Sequence, residues 1–377
     1  MKRSGRSDIG LSLFLPLLAW VALFAAPGVS PGAESVFESA YACKGCHEDH
    51  FRNWRGGLHA FTFNNPIFTA AYQKAYTETE GKAARICLPC HAPTVLVTGD
   101  YGANLEITRE GVTCDFCHTV AQVTLDNGAH FVSKPGKVKY SPNKDKKIEE
   151  HGQAYSEDFA SSKLCAGCHN MVTSHGLKVM DTYSEWSESN VRKEGKSCRN
   201  CHMKKIEGVK IPGGGITEIS DHSLSHNVES MKDAVTLQIK KPQRAPGVLI
   251  VELVVTNAKA GHSIPTGTAE RKLVVEVTAF DERGAEVEKQ ERVYRRTVVD
   301  SNGMEISAGG DVFLHGAKIA RDNRLRSGES RVEKFTFIQR PASVKSVTAE
   351  AYFLYEPMTL QKTEMRIPFF DAFTRVE

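Results

Sequence analysis

The sequence predicts an α+β protein in which a mainly helical and irregular segment, 34–230, precedes an antiparallel β-sandwich, 231–377. Two observations carry that expectation. All ten Cys and twelve of the fourteen His fall before about residue 230, and the remainder is Cys-free and built from alternating β-branched runs. Ahead of both, Lys2, Arg3 and Arg6 precede an apolar run over 9–26 and a small-residue stretch to about Ala33, so 1–33 reads as a secretory signal peptide.

That apolar run is near the short limit for a membrane span, and if retained it would be an anchor. Pro16 and the small-residue tail favour cleavage, and no Cys stands nearby to carry a lipid. The expected location is therefore periplasmic or extracellular.

Each Cys belongs to a Cys-x-x-Cys-His unit: Cys43/Cys46/His47, Cys87/Cys90/His91, Cys114/Cys117/His118, Cys165/Cys168/His169 and Cys198/Cys201/His202. Chance predicts on the order of 0.01 such units at this composition, because each Cys must find a second at +3 and a His at +4. Two thiols so spaced lie on one side of a helical turn, where they add to the two vinyl groups of one haem. The next residue then presents an imidazole to the iron. The sequence thus predicts five covalent haem c groups, with the ten Cys as attachment points and the five motif His as metal ligands. A zinc site would want paired Cys-x-x-Cys units, and a disulfide framework gives no reason for His to follow every second Cys.

About 39 residues are available per haem in 34–230, too few to wrap each macrocycle separately, so the haems must supply much of the core and lie against one another. The motif-to-motif steps of 44, 27, 51 and 33 residues describe an irregular array. Helical patterning is expected over 48–58, 65–76 and 182–191, with loops elsewhere. Beyond 231, strand candidates at 248–255, 272–279 and 343–353 are separated by turn clusters at 281–284, 300–303 and 326–329. Short strands with such breaks predict the sandwich.

The segments Glu110-Gly-Val-Thr-Cys-Asp-Phe-Cys-His118, Cys165-Ala-Gly-Cys-His169 followed by Thr182-Tyr-Ser-Glu-Trp186, and Cys198-Arg-Asn-Cys-His-Met203 resemble the cytochrome c-554-type multihaem family over most of 36–230. Gly261-His-Ser-Ile-Pro-Thr-Gly267 is similar to a segment of β-rich domains that accompany such cytochromes. The resemblance implies electron transfer through bis-His haems. Two departures stand out: the family type carries four haems against five motifs here, and its Trp-x-x-Ser-x-His signature reads Trp54-Arg-Gly-Gly-Leu-His59, with Gly57 in place of Ser.

Distal ligands must come from the nine His outside the motifs. A His close in sequence to its proximal partner projects from the same side of the haem, so remote segments are expected to serve. The resemblance favours His59, His151 and His226, matches His262 to the ligand-like His of its segment, and leaves His175 as a fifth candidate. His50 and His222 are reserves.

The formal charge of +3 falls to +1 without Lys2, Arg3, Arg6 and Asp8. Oxidised haems at about −1 each bring the holoprotein near −4, and no nucleic-acid role is suggested. Six Lys between 134 and 147 form a solvated loop or a face for propionates or an acidic partner. The first functional reading is an electron carrier with every iron six-coordinate and no catalytic residue. It would serve a quinol-oxidising complex, other cytochromes or a terminal reductase, and would touch a membrane only through an uncleaved N-terminal segment. The alternatives are a multihaem oxidoreductase with one open iron acting on a small nitrogen or sulfur compound, or a subunit of an extracellular cytochrome filament or membrane complex. All five motifs end in His, without the Lys-ended variant of some nitrite-reducing haems, which favours the carrier.

Overall fold

The computed structural model describes residues 36–125, 130–144, 146–147, 149–173, 176–224, 228–355 and 365–377. The signal peptide expected at 1–33, and the ligand candidates His175 and His226, lie outside them. Ser35–Glu377 form one compact unit, and the fold is α+β, with a helical, motif-bearing N-terminal portion and a β-rich C-terminal portion.

The helix after the first motif is Glu48–Arg55, with Glu48 and Asp49 in its first turn and Arg52 and Arg55 in its last, the order the helix dipole favours. Phe51 and Trp54, three residues apart, share its buried face. Pro66–Glu78 begins where Asn65 accepts from Ile67 N at 2.9 Å and Pro66 presets the first turn. The helix expected over 182–191 is two, Thr182–Glu188 and Asn190–Lys193. Ser189 takes an extended conformation between them and its hydroxyl accepts from Arg192 N.

Stretches expected as loops also carry small antiparallel pairs: Val120–Thr124 with His130–Ser133, Met171–Val172 with Lys178–Met180, and Lys205–Gly208 with Thr217–Ser220. Such strands are too short to show alternation. Apolar packing in this portion is divided among small clusters, one around Phe37, Ile107 and Phe116, another around Phe51 and Trp54, a third around Leu88 and Val95.

The C-terminal portion has a continuous core. One sheet sets Val248–Asn257 between Val235–Ile239 and Gln243–Ala245 on one side and Ser330–Phe337 on the other. The second runs Glu286–Tyr294, Arg271–Phe280, Ser346–Tyr355, Met365–Arg375. Every second residue faces inward: Leu249, Val251, Leu253 and Val255 from the first sheet meet Leu273, Val275, Val277, Val347, Ala349 and Ala351 from the second, with Phe335 and Phe337 filling the centre. Outside the sandwich, Arg296–Val299 pairs with Glu305–Ile306 and Lys318–Asp322, and Val298 and Val312 pack with Val179 of the motif-bearing portion. Among the described residues no helix is long and apolar enough to cross a membrane.

Candidate haem sites

The motifs occupy short helical turns in Ala40–Lys44 and the residues just after it, Ala84–His91, Cys114–Thr119, Lys163–His169 and Cys198–His202. No Cys is in a disulfide.

The ten motif thiols are not equally buried. Cys46 and Cys201 are exposed, whereas Cys43, Cys87, Cys90, Cys114, Cys117, Cys165, Cys168 and Cys198 are half-buried. The reason is local. Cys46 stands beyond the end of Ala40–Lys44, past Gly45, and Cys198–His202 buries none of its own residues. The second thiol of the first and of the fifth motif therefore faces outward, and these two motifs form the rim of the array.

The surroundings of the third motif explain the residues around it. Thr113 caps its helix by accepting from Phe116 N at 3.1 Å, while Glu110 accepts from Ser39 Oγ at 2.5 Å and Ala40 N at 3.0 Å at the start of the first motif's helix. Asp115, buried, accepts from Glu38 N at 2.8 Å and from Lys139 at 2.5 Å. Lys139 of the lysine-rich stretch therefore turns inward, and 134–147 is not a uniform surface patch.

Histidine hydrogen bonds fix which ring nitrogen remains for a metal. His47 Nδ1 donates to Lys210 O at 2.9 Å, His91 Nδ1 to Thr62 O at 2.9 Å and His118 Nδ1 to Tyr140 O at 2.8 Å. Outside the motifs, His151, His222 and His262 donate to the carbonyls of Gly152, Ser220 and Ser263 at 3.1, 2.8 and 3.0 Å. A carbonyl only accepts, so each Nδ1 carries the proton and each Nε2 presents its lone pair. Burial pulls His59, His118 and His202 down to about 4, which keeps them as neutral imidazoles near neutral pH.

Four imidazole pairs share one spacing. Ring centroids are 6.2 Å apart for His47 and His151, 6.5 Å for His59 and His169, 6.5 Å for His118 and His222, and 6.3 Å for His202 and His262. A metal–imidazole bond of about 2.0–2.1 Å, plus about 1.1 Å from nitrogen to ring centre, puts two imidazoles on opposite sides of one metal with centroids about 6.3 Å apart. The four pairs fit haem iron. His50 does not: its ring lies 5.0 Å from His222 and 5.8 Å from His47, edge-on to both. At His91, Phe68 stacks on the imidazole at 3.7 Å and 8°, and no second imidazole faces His91 among the described residues.

Comparison with known proteins agrees with this chemistry. Residues 42–119 match the family described as cytochrome c554 and c-prime. The fold is that of a penta-heme cytochrome c552 from Thermochromatium tepidum, with a TM-score of 0.72 and 19% identity over 91% of this chain and 100% of that one. In that stretch, and in its fold, the chain is similar to multihaem c-type cytochromes. Two further structures, a Bacteroides fragilis β-galactosidase covering 38% of this chain and 16% of its own at 10% identity, and the structural-genomics target SoR45 covering 37% and 81% at 5%, have TM-scores of 0.18 and 0.16. Scores that low carry no information on the fold. Among curated proteins, no sequence relative matches the chain.

The five motifs adjoin one another through their own thiols. Cys43 lies beside Cys114, Cys90 beside Cys168, and Cys165 beside Cys198. Cys117 and Leu164 pack onto one apolar cluster, which brings the third motif to the fourth. The fourth motif thus adjoins the second, third and fifth, and the first adjoins the third. In the first and fifth motifs it is the inner thiol, Cys43 or Cys198, that meets a neighbouring motif, while Cys46 and Cys201 face away.

Of the distal candidates read from sequence, the structure places His59, His151 and His262 opposite motif His, each from a remote segment. His222, ranked only as a reserve, stands opposite His118. The Lys205–Gly208 and Thr217–Ser220 hairpin returns the chain from the fifth motif to the third, a path that spacing alone does not reveal. One sequence signal does point there. Gly57, where the family signature has Ser, lies so close to the backbone of Ser223 that a Cβ would stand 2.2 Å from Ser223 O. Nearby, Gly111 at φ +76° brings its backbone against His59, so Val112 N donates to His59 O at 3.0 Å and Trp54 Nε1 donates to Val112 O at 2.8 Å.

Proposed function

We propose that this cytochrome is an extracytoplasmic electron carrier that holds five covalent haem c groups, at least four of them between paired imidazoles. The observation that supports this most directly is the common 6.2–6.5 Å spacing of four His pairs, each joining one motif His to a His from a distant segment. Bound haem c supplies a one-electron iron couple. The chain's residues do the rest: thiols fix each group in place, Nδ1–H donors orient the ligand rings, and two strong-field imidazoles close an iron to substrate. Because the fourth motif adjoins three others, the first, second and fifth motifs are the natural ends where partner proteins exchange electrons. The exposure of Cys46 and Cys201 at the first and fifth supports that assignment.

In this reading 34–230 is the haem domain, with His175 and His226 as candidates for the remaining sixth position, and 231–377 is a β-domain that contributes His262. The partners are other redox proteins, a quinol-oxidising complex or terminal reductase among them, and the 1–33 segment directs export. Intact mass and haemochrome absorbance test the stoichiometry. Five haems per chain are expected, and four after Cys165→Ser with Cys168→Ser; four or fewer in the native protein would end the pentahaem reading.

A second reading concerns that site alone, where no imidazole among the described residues faces His91: an open iron and hence a multihaem oxidoreductase for a small nitrogen or sulfur compound. One equivalent of carbon monoxide binding rapidly to the reduced protein, with turnover of hydroxylamine or an oxyanion, would establish it.

A further inference from the structure

Between the motif-bearing portion and the β-rich portion lies a buried ion cluster that the electron-carrier reading does not use. Arg296 and Arg324, with side chains 3% and 6% exposed, meet Asp181 and Glu185 from the neighbourhood of the Thr182–Glu188 helix, and Asp322. Arg296 Nη2 donates to Asp181 Oδ2 at 2.7 Å, and Arg324 Nη2 lies 2.7 Å from Glu185 Oε1 and 2.8 Å from Asp322 Oδ2. Such a cluster is a poor source of stability, since the desolvation of five charged groups cancels most of their attraction. It is a good source of specificity: one arrangement gives each of the three carboxylates a guanidinium, and displaced arrangements strand several.

What that arrangement specifies is visible at Glu185. While Oε1 faces Arg324, Oε2 accepts from Ser263 N and from Thr266 Oγ1, both at 3.0 Å. Both donors lie just after His262, on the loop that carries it. From the other side, Asn257 Nδ2 donates to His262 O at 2.9 Å, and Ile264 and Leu325 exchange backbone hydrogen bonds at 2.8 and 3.0 Å. Gly261 lets the loop approach Trp186, where a Cβ would come within 3.0 Å of the indole. The loop is thus pinned to the sandwich by Asn257 and to the helix by Glu185.

We propose that Glu185 is the positioning residue for the fifth site: by accepting from Ser263 N and Thr266 Oγ1 it seats the loop so that His262 stands opposite His202. The inference rests on the reading of His202 and His262 as axial partners. Loss of the two hydrogen bonds shifts the ratio of ligated to open iron at that site by roughly tenfold to a hundredfold.

The experiment uses the full-length, haem-loaded protein and reads spin state and ligand bands by electron paramagnetic resonance and near-infrared spectroscopy. His262→Met tests the underlying ligand reading and must change one haem. Glu185→Leu is expected to turn part of that same haem high-spin, and Glu185→Leu with His262→Met is expected to look like His262→Met alone. Thr266→Val, which keeps the shape and removes one donor, gives a smaller change at the same haem and decides the matter if Glu185→Leu does not mature. If His262→Met changes nothing, the ligand reading falls and the positioning role with it. If His262→Met changes one haem but Glu185→Leu and Thr266→Val leave it untouched, or disturb several haems equally, the positioning role is overturned while the ligand reading stands.

Discussion

The two portions of this chain are held together by different means. The β-rich portion has a continuous apolar core from Val235 to Val376, assembled from two facing sheets. The motif-bearing portion has only separate small clusters, and many of its His and Cys side chains face one another across the space between them. The sandwich can organise itself from its sequence pattern alone, whereas the other portion requires its haems to complete a core. The comparison teaches where the chain's stability and its cofactor dependence reside.

The largest expected effect breaks the comparison open. A chain secreted without haem attachment should lose nearly all protease protection over 36–230 while the sandwich strands stay protected, as hydrogen exchange or limited proteolysis would show. Protection of both portions would contradict the contrast. Conversely, Phe335→Ala, at a fully buried position in the sandwich centre, should cost about 3–5 kcal/mol in denaturant unfolding of the β signal. Its haem absorbance should persist until the sandwich melts.

Gly57→Ser sharpens the account inside the motif-bearing portion. A side chain at this position must displace the Ser223 backbone, and His222 with it, so the haem at the third motif should lose its low-spin signal while attachment remains complete. The smallest effect is expected at His50, whose ring is edge-on to its neighbours. His50→Phe should leave every haem low-spin that was low-spin before, with a potential shift at the first or third site at most.

These contrasts also explain what could be read in advance. The strand at Val248–Asn257 was legible because alternation runs through all ten of its residues. The five Cys-x-x-Cys-His motifs were legible because thiol and imidazole chemistry demands a fixed local spacing. That spacing is identical in all five motifs, so it could not tell the outward-facing Cys46 and Cys201 from the eight thiols set deeper in the array. His59, His151 and His262 were reached through resemblance, and their partners were not, because pairing depends on how remote segments meet in space. His222 ranked low because its place opposite the third motif depends on a hairpin of four-residue strands and on a glycine that only matters once Ser223 lies against it. The Asp181, Glu185, Arg296, Arg324 and Asp322 cluster had no sequence signal, since its members are scattered over about 140 residues and become a unit only on folding.

The most direct test of the central claim is the spin-state count of the oxidised, fully loaded protein, measured by electron paramagnetic resonance together with carbon monoxide titration after reduction. Four imidazole pairs at metal-bridging distance predict at least four of five haem equivalents low-spin and inert to carbon monoxide, with any reactive equivalent traceable to the Cys87/Cys90/His91 site by its loss on Cys87→Ser with Cys90→Ser. Two or more high-spin equivalents in the native protein, or carbon monoxide binding that survives loss of that site, would contradict the account.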